Sequence, residues 1–442
     1  MSRTPAHVPI SAGGCPIANA RAAAPATPPR AAGTTAVAVI APQAGSGYAD
    51  ALKRRGRDAV AVTLGFGTRP PAYSGVGAQE AYTEVVEHAG DLRHTVKKLR
   101  TAGVDAVVAA SPAGVELAER IAWQLRLPGS GIPGSALLRT DRGVQAETLC
   151  HAGITAAYTL RTSSLAEALA WTDCHQPSAY QLTSAAIGAP VGPVVCSTKQ
   201  QIAAAWPQLQ EAAYRHSADT ALVLQEQVDG RQYLVESVTR LDPDGPQHTA
   251  TGIWSYAHAP TGVLDRADLL HRHDLLARRL TLYALSALDT LAVTWGPMQC
   301  HVAFDPERGP VLLSANVVTN RSHADETVWK ISGHDPIDAS LQGSSATRWN
   351  SNDTRGSRVA RIYVNAPHGC AAELELLRAL AGLPTAACID VDPGSFISRS
   401  APTVPGGEAS EIVLAHTVPG TVEKDYHRIQ VLMTDLHKAQ HR

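Results

Sequence analysis

The sequence predicts an α/β unit followed by α+β units, several of them packed in series. Three observations lead there. Short β-branched runs alternate with amphipathic stretches over residues 36–130, which is the pattern of a parallel sheet with helices on its faces. Beyond residue 150 the strands are longer and are separated by turn residues, as in antiparallel sheets. At 442 residues the chain exceeds what a single core organises and fits two to four units.

Taken in order, Ala36-Val37-Ala38-Val39-Ile40 is a buried strand bounded by Pro42 and Gly45. A helix over Tyr48–Arg55 closes on Gly56, and Ala59-Val60-Ala61-Val62 is the second strand. Asp91–Leu99 is amphipathic and stops at Gly103; Ala106–Ala110 is a strand, and a helix follows over Gly114–Leu125. A helix is expected over Thr140–Ala152 with Asp141 near its start and Gly153 at its end. Apolar stretches at Ala156–Leu160 and Ser178–Leu182 precede Thr183–Pro193, a segment of small residues, Gly and Pro. Its backbone N–H groups are free to approach a phosphate, and a plain turn is the alternative. Lys199–Arg215 is helical, Leu222–Glu226 is a strand, and Asp229-Gly230 reads as a hairpin turn into Gln232–Val238. One long helix is expected over Leu269–Leu291, then strands Met298–Phe304 and Pro310–Ala315 joined by the turn Asp305–Gly309. Short strands and one helix over Ala371–Leu380 close the chain.

Composition narrows the function classes. Hydrophobic residues make up 44% and charged residues 18%, and the net charge is −2, so no electrostatic footprint for nucleic acid or anionic lipid is present. Aromatic residues are dispersed, without a platform for stacking single-stranded bases. Seven cysteines lie far apart with no metal-ligand spacing and read as reduced, mostly buried thiols. No apolar run reaches the roughly 18 residues of a membrane span. The first 35 residues, rich in Ala and Pro, lack the apolar core of an export signal and are expected to be a disordered leader. A cytoplasmic location is the resulting expectation.

The order of these elements resembles the ATP-grasp ligases, in the branch that joins an amino acid carboxylate to an amine. The resemblance runs from about Val37 to the C-terminus. It is carried by Pro112–Ala118 after the third strand and by Gln225–Glu236, which resembles the hinge and hairpin that hold adenine and ribose. It continues in Gly296-Pro297 and Gly309–Leu313 with Asn316, similar to the strands that present metal ligands, and in Pro367-His368-Gly369. It implies an N-terminal α/β domain (36–139), a small lobe (140–210), a grasp lobe with the nucleotide and metal cleft (211–335) and a C-terminal α+β subdomain (336–442). It also implies ATP and Mg2+ as cofactors, and a reaction in which ATP converts a carboxylate to an acyl phosphate that an amine then attacks.

Carried over residue by residue, Arg142 stands at the family's first phosphate lysine and Gln181 at the second. Gly188 and Gly192 fall in the phosphate loop, and Gln225, Glu226 and Gln232 along the adenine and ribose segment. His301 and Ser314 occupy the two metal-glutamate positions, Asn316 is retained, and Val318 replaces an arginine for which Arg321 is a substitute. No Glu or Asp occurs between Trp295 and Phe304 or between Val311 and His323, so a shifted register restores neither carboxylate. Magnesium beside a triphosphate prefers hard carboxylate oxygens, and each lost charge contact in phosphoryl transfer is worth roughly 10²–10³ in rate. An acid would have to come from Asp305, Glu307, Asp325, Glu326 or Glu236. His301, His323 and Asn316 form an alternative, transition-metal set. Strand alternation places Cys300 on the face opposite His301. Three functions stay open: a rewired ligase acting on small amino acid-like molecules, a pseudoenzyme that binds a small ligand or pairs with an active ligase, and a repurposed fold with a different reaction. The resemblance further implies a homodimer; the composition leans to Ala, Arg, Pro and Gly over Lys, as a GC-rich genome gives, and by analogy with the family this implies a bacterial specialised-metabolism ligase.

Overall fold

A computed structural model describes residues 35–42, 47–65, 82–127, 131–132, 134–189, 191–242, 244–259, 263–317, 323–332, 335, 339–340, 357–364, 377–390 and 410–440. The expected leader, Val318, Arg321, Pro367-His368-Gly369 and most of the expected helix 371–380 lie outside these residues; 377–380 is helical.

Strands β1 (Ala36–Ile40), β2 (Asp58–Leu64), β3 (Glu84–His88) and β4 (Val104–Ala109) form a parallel sheet in the order β3-β2-β1-β4. Helices α1 (Tyr48–Arg54), α2 (Leu92–Thr101) and α3 (Val115–Leu125) connect and flank it. Asp91 caps α2 by accepting from the amides of Arg93 and His94, which fixes where that helix starts. The edge strand β3 was not anticipated: Val86 and His88 alone are buried in it, so its sequence carries no apolar run.

The helix expected over Thr140–Ala152 is α5 (Arg142–His151), preceded by a short helix α4 (Leu137–Thr140). Asp141 adopts extended backbone angles between them, and its carboxylate accepts from Val144 N at 3.0 Å as the cap of α5. A second sheet contains β5 (Thr159–Thr162), β6 (Tyr180–Ser184), β7 (Val194–Cys196) and β8 (Leu222–Glu226) in the order β5-β8-β6-β7. Helices α6 (Leu165–Cys174) and α7 (Lys199–Ser217) pack on it through Ala168, Ile202, Trp206 and Leu209.

The third sheet has eight strands, in the order β13-β12-β9-β10-β11-β14-β16-β15. These are β9 (Arg231–Asp242), β10 (Gly245–His258), β11 (Leu264–Leu269), β12 (Gly296–Asp305), β13 (Gly309–Val317), β14 (Arg358–Val364), β15 (Ala386–Asp390) and β16 (Ser410–His416). Two expectations are corrected here. Asp229-Gly230 does not close a hairpin, because β8 pairs with β5 and β6 while β9 pairs with β10 and β12. Every residue of β8 is buried, so it is satisfied as a central strand of its own sheet, and the chain crosses to the next sheet through Gln227–Gly230. Gly230 has φ 142°, and a Cβ there would lie 2.2 Å from the carbonyl oxygen of Phe304. The expected helix Leu269–Leu291 is likewise shorter. Its first residue ends β11, held between β10 and β14, and α8 runs over Leu275–Thr290. Helices α9 (His323–Ser332) and α10 (Pro419–Gln440) were also not anticipated.

The two faces of the large sheet bury different partners. Val235, Met298, Cys300, Val302, Leu312 and Ala315 pack under α8 through Leu280, Ala284 and Leu288. On the other face Leu234, Trp254 and Tyr256 share a core with Val37, Val39 and Tyr48 of the N-terminal unit and with Val328 and Trp329 of α9. Cys300 therefore lies in the core, as alternation predicted, and His301 turns to the opposite face. No helix among the described residues is long and apolar enough to cross a membrane.

Candidate functional site

The site lies where the four-stranded sheet and α5 meet the face of β12 and β13 that α8 does not cover. Two cross-strand rows define it. Register pairs Leu234 of β9 with His301 of β12, and His301 with Ser314 of β13. The next row on the same face is Glu236, Gln299 and Asn316. The three residues expected at metal positions, His301, Ser314 and Asn316, are thus brought together on one surface.

Arg142 opens α5 and reaches this surface from the other side of the cleft. Its guanidinium donates to the carbonyl oxygens of Ser184 and Ala186, each at 3.3 Å; among the described residues no carboxylate lies within ion-pair distance, although the Asp141 charge acts on it. The adjacent acid, Asp141, is held by Arg161 at 2.8 Å and by its capping bond. Burial brings the Arg142 pKa down to about 10. His301 is pushed down to about 4, first by burial and then by the Arg142 charge, so it is a neutral imidazole at physiological pH.

Gln181 and Gln225 stand opposite each other on β6 and β8 and so share a face. Gln181 donates to the side chain of Gln227 at 2.7 Å, and Gln225 donates to Thr159 Oγ1 and to the Leu313 carbonyl, both at 3.3 Å. The last bond ties the small sheet to β13. The Glu226 carboxylate accepts from Arg308 Nη1 at 2.6 Å and from the amide of Tyr158 at 2.9 Å, and Arg308 lies over the Tyr158 ring. Its side chain is thereby committed to a clamp across the hinge, a role that reading along the sequence missed because Arg308 is distant in the chain. Gln232 begins β9 and is half-buried opposite Ala303. Gly188 turns with φ 84° against Pro112, so its contact is with the N-terminal unit, whereas Gly192 is exposed beyond it.

Of the acids named as substitutes, Glu236 and Asp325 lie close enough to act on each other, both beside Arg361. Asp305 sits at the far end of β12 and pairs with Arg308, while Glu307 is exposed. Asp325 pairs with Arg361 at 2.6 Å and Glu326 with Lys330 at 3.1 Å. Only Glu236 of these five lies in a row with Asn316, one strand away, and Gln299 stands between them. Its carboxylate accepts from Trp254 Nε1 at 3.1 Å and Gln299 Nε2 at 3.4 Å. Among the described residues no three His, Cys, Asp or Glu side chains are close enough to share a metal.

The donor set can be tested against Mg2+. Asn316 Oδ1 is buried without a hydrogen-bond partner among the described residues and is a suitable oxygen, but its neighbours are an imidazole and a hydroxyl, with the Arg142 cation acting on that imidazole. Magnesium needs several hard oxygens in octahedral array, and this set does not fit it. The half-buried Arg142 guanidinium leaves one cation on the cleft, held by two backbone carbonyls.

No protein-family model and no curated protein matches the chain. Solved structures do. The L-amino acid ligase from Bacillus licheniformis is similar with a TM-score of 0.62 at 12% identity, over 90% of this chain and 97% of that one. Carboxyaminoimidazole ribonucleotide synthase from Aspergillus clavatus, complexed with ATP, gives 0.65 at 14% identity over 91% and 99%. The biotin carboxylase domain dimer of Hydrogenobacter thermophilus 2-oxoglutarate carboxylase, with MgADP and bicarbonate, gives 0.56 at 12% over 86% of each chain. The fold is ATP-grasp, and at these identities the likeness shows the fold alone.

Proposed function

We propose that this ATP-grasp chain is a divergent carboxylate–amine ligase type that binds a nucleotide with Arg142 at its phosphates and has lost the magnesium-dependent ligase reaction. The carrying observation is the Arg142 guanidinium, half-buried and, among the described residues, bonded to two backbone carbonyls and to no carboxylate. A partly buried cation with no bound carboxylate is costly, and a phosphate supplies an anion. With His301 and Ser314 in place of two carboxylates, the cleft surface around Asn316 no longer repels a metal-free triphosphate. In this reading Gln181, Gln225 and Gln232 contribute neutral hydrogen bonds, and the backbone N–H groups at Gly188 and Gly192 approach the phosphates. The protein then acts as a small-ligand binder or as the partner of an active ligase.

Calorimetry with ADP, with and without magnesium, tests the proposal. Binding of equal strength in both conditions is expected, and Arg142→Gln should weaken it roughly 10–100-fold, the worth of one charge-assisted bond. No heat at millimolar ADP would refute the nucleotide reading. A second reading, a working ligase with a rebuilt metal site, is favoured by one observation, the Glu236 carboxylate on the same face as Asn316. Tightening by magnesium together with ATP-dependent phosphate release would replace the first reading with this one.

A further inference from the structure

We propose that the cavity between α3 and the start of β12 binds a small neutral molecule carrying a hydrogen-bond donor beside an acceptor, a primary amide being the simplest such group. Among the described residues the cavity is lined by Val108, Ala118, Glu119, Arg139, Trp295 and Met298, and its volume is about 60 Å³. It is separate from the cleft. Met298 turns to the α8 side of β12, whereas Gln299, the next residue, lies on the cleft face in the row of Glu236 and Asn316. Its occupancy is independent of the nucleotide reading.

Two polar groups of the cavity wall lack partners, one of each kind. Glu119 is 8% exposed; its Oε1 accepts from Arg139, and its Oε2 is buried with no hydrogen-bond partner among the described residues. Trp295 Nε1 is buried and likewise has none. The ionised carboxylate can only accept and the indole can only donate. The Glu119 charge itself is met, because Arg139 pairs with it while donating to the Leu291 and Ala292 carbonyls. The pair is neutral as a unit, so a cationic ligand would stand against Arg139 and an anionic one against Glu119. What the wall lacks is a donor for Oε2 and an acceptor for Nε1, and a primary amide holds both on neighbouring atoms. Val108, Ala118 and Met298 make the rest of the wall apolar, which suits a short alkyl group. At roughly 10–15 Å³ of such volume for each water-sized group, the cavity takes about four heavy atoms, the size of acetamide. Gly296 also lines it, and a Cβ there would meet no atom within 4 Å, so the space continues to the backbone of β12. A molecule bridging Glu119 of α3 and Trp295 ties the N-terminal unit to the start of that strand.

Methionine methyl NMR tests the site, because Met298 lines the cavity and the chain has only two other methionines, Met1 and Met433. Acetamide is titrated into the full chain labelled at its methionine methyl groups, beside acetone and acetate. The three have equal numbers of heavy atoms; acetone lacks the donor and acetate is an anion. The Met298 resonance, assigned by its loss in Met298→Leu, should shift with acetamide and saturate at roughly millimolar concentration while that of Met433 stays in place. Acetone should bind roughly tenfold more weakly, and acetate should leave the resonance unmoved. Trp295→Phe should weaken acetamide by a similar factor, and Ala118→Leu, which fills the cavity, should abolish the shift. The comparison of the three ligands needs no variant, so it carries the test if neither variant folds. A Met298 resonance unmoved by acetamide, or drifting with Met433 without saturation, would overturn the proposal. Acetone or acetate binding as well as acetamide, or acetamide binding undiminished in a folded variant, would overturn it too.

Discussion

Replacing His301 with glutamine should remove a specific pH dependence from the stability of the fold. His301 faces the cleft on β12, and burial together with Arg142 lowers its pKa from 6.5 to about 4. The folded-state value lies below the unfolded one, so the unfolded chain binds this proton first. The stabilising contribution is fully present above pH 6.5 and is lost as pH falls through about 4. A difference of about 2.5 units at about 1.36 kcal/mol per unit comes to roughly 3 kcal/mol. Urea denaturation of wild type and His301→Gln between pH 7.5 and 4 isolates this quantity, because the carboxylates titrating in that range are common to both proteins. The wild type should lose roughly 3 kcal/mol more than the variant across the interval. Parallel stability curves would refute the placement of a neutral, buried imidazole beside Arg142.

Gly230→Ala should destabilise the protein by several kcal/mol, read as a lowered urea midpoint, since it combines φ 142° with a Cβ 2.2 Å from a carbonyl oxygen. Arg139→Met should cost roughly 3–5 kcal/mol by the same assay. It strips the buried Glu119 of its ion pair and leaves the Leu291 and Ala292 carbonyls after α8 without their donor; Glu119→Leu combined with it should recover much of the loss. Glu236→Gln should be at least as stable as wild type at pH 8. Burial raises the Glu236 pKa, so its stabilising contribution is present below the unfolded value and is lost as pH rises through the folded one. A variant that loses stability as pH rises, as steeply as wild type, would contradict that assignment.

Three strands of the first sheet were legible to within two residues because they are rich in buried apolar side chains and its helices are capped by Asp91 or stopped by glycine; the edge strand β3, buried only at Val86 and His88, was not. The long helix misread over Leu269–Leu291 shows the limit. Leu269 and Leu270 extend the apolar spacing of α8 backwards, and the pairing of Leu269 with Trp254 of β10 decides it. The same holds for Asp229-Gly230, whose turn chemistry is local while the choice of partner strands is not.

At the site, the sequence by itself determined which residue types stand in the cleft: an arginine, neutral amides, a histidine, a serine and an asparagine, with no acid on either stretch of β12 and β13 that faces it. Their order along the chain was enough to point to the fold and to the missing carboxylates. Only the tertiary structure decided which charges are compensated. Glu226 meets Arg308, Asp141 meets Arg161 and the Arg361 charge acts on Glu236, whereas the hydrogen-bond partners of the Arg142 side chain among the described residues are backbone carbonyls. Charge compensation depends on distances between segments far apart in the chain, and register, not composition, sets those distances.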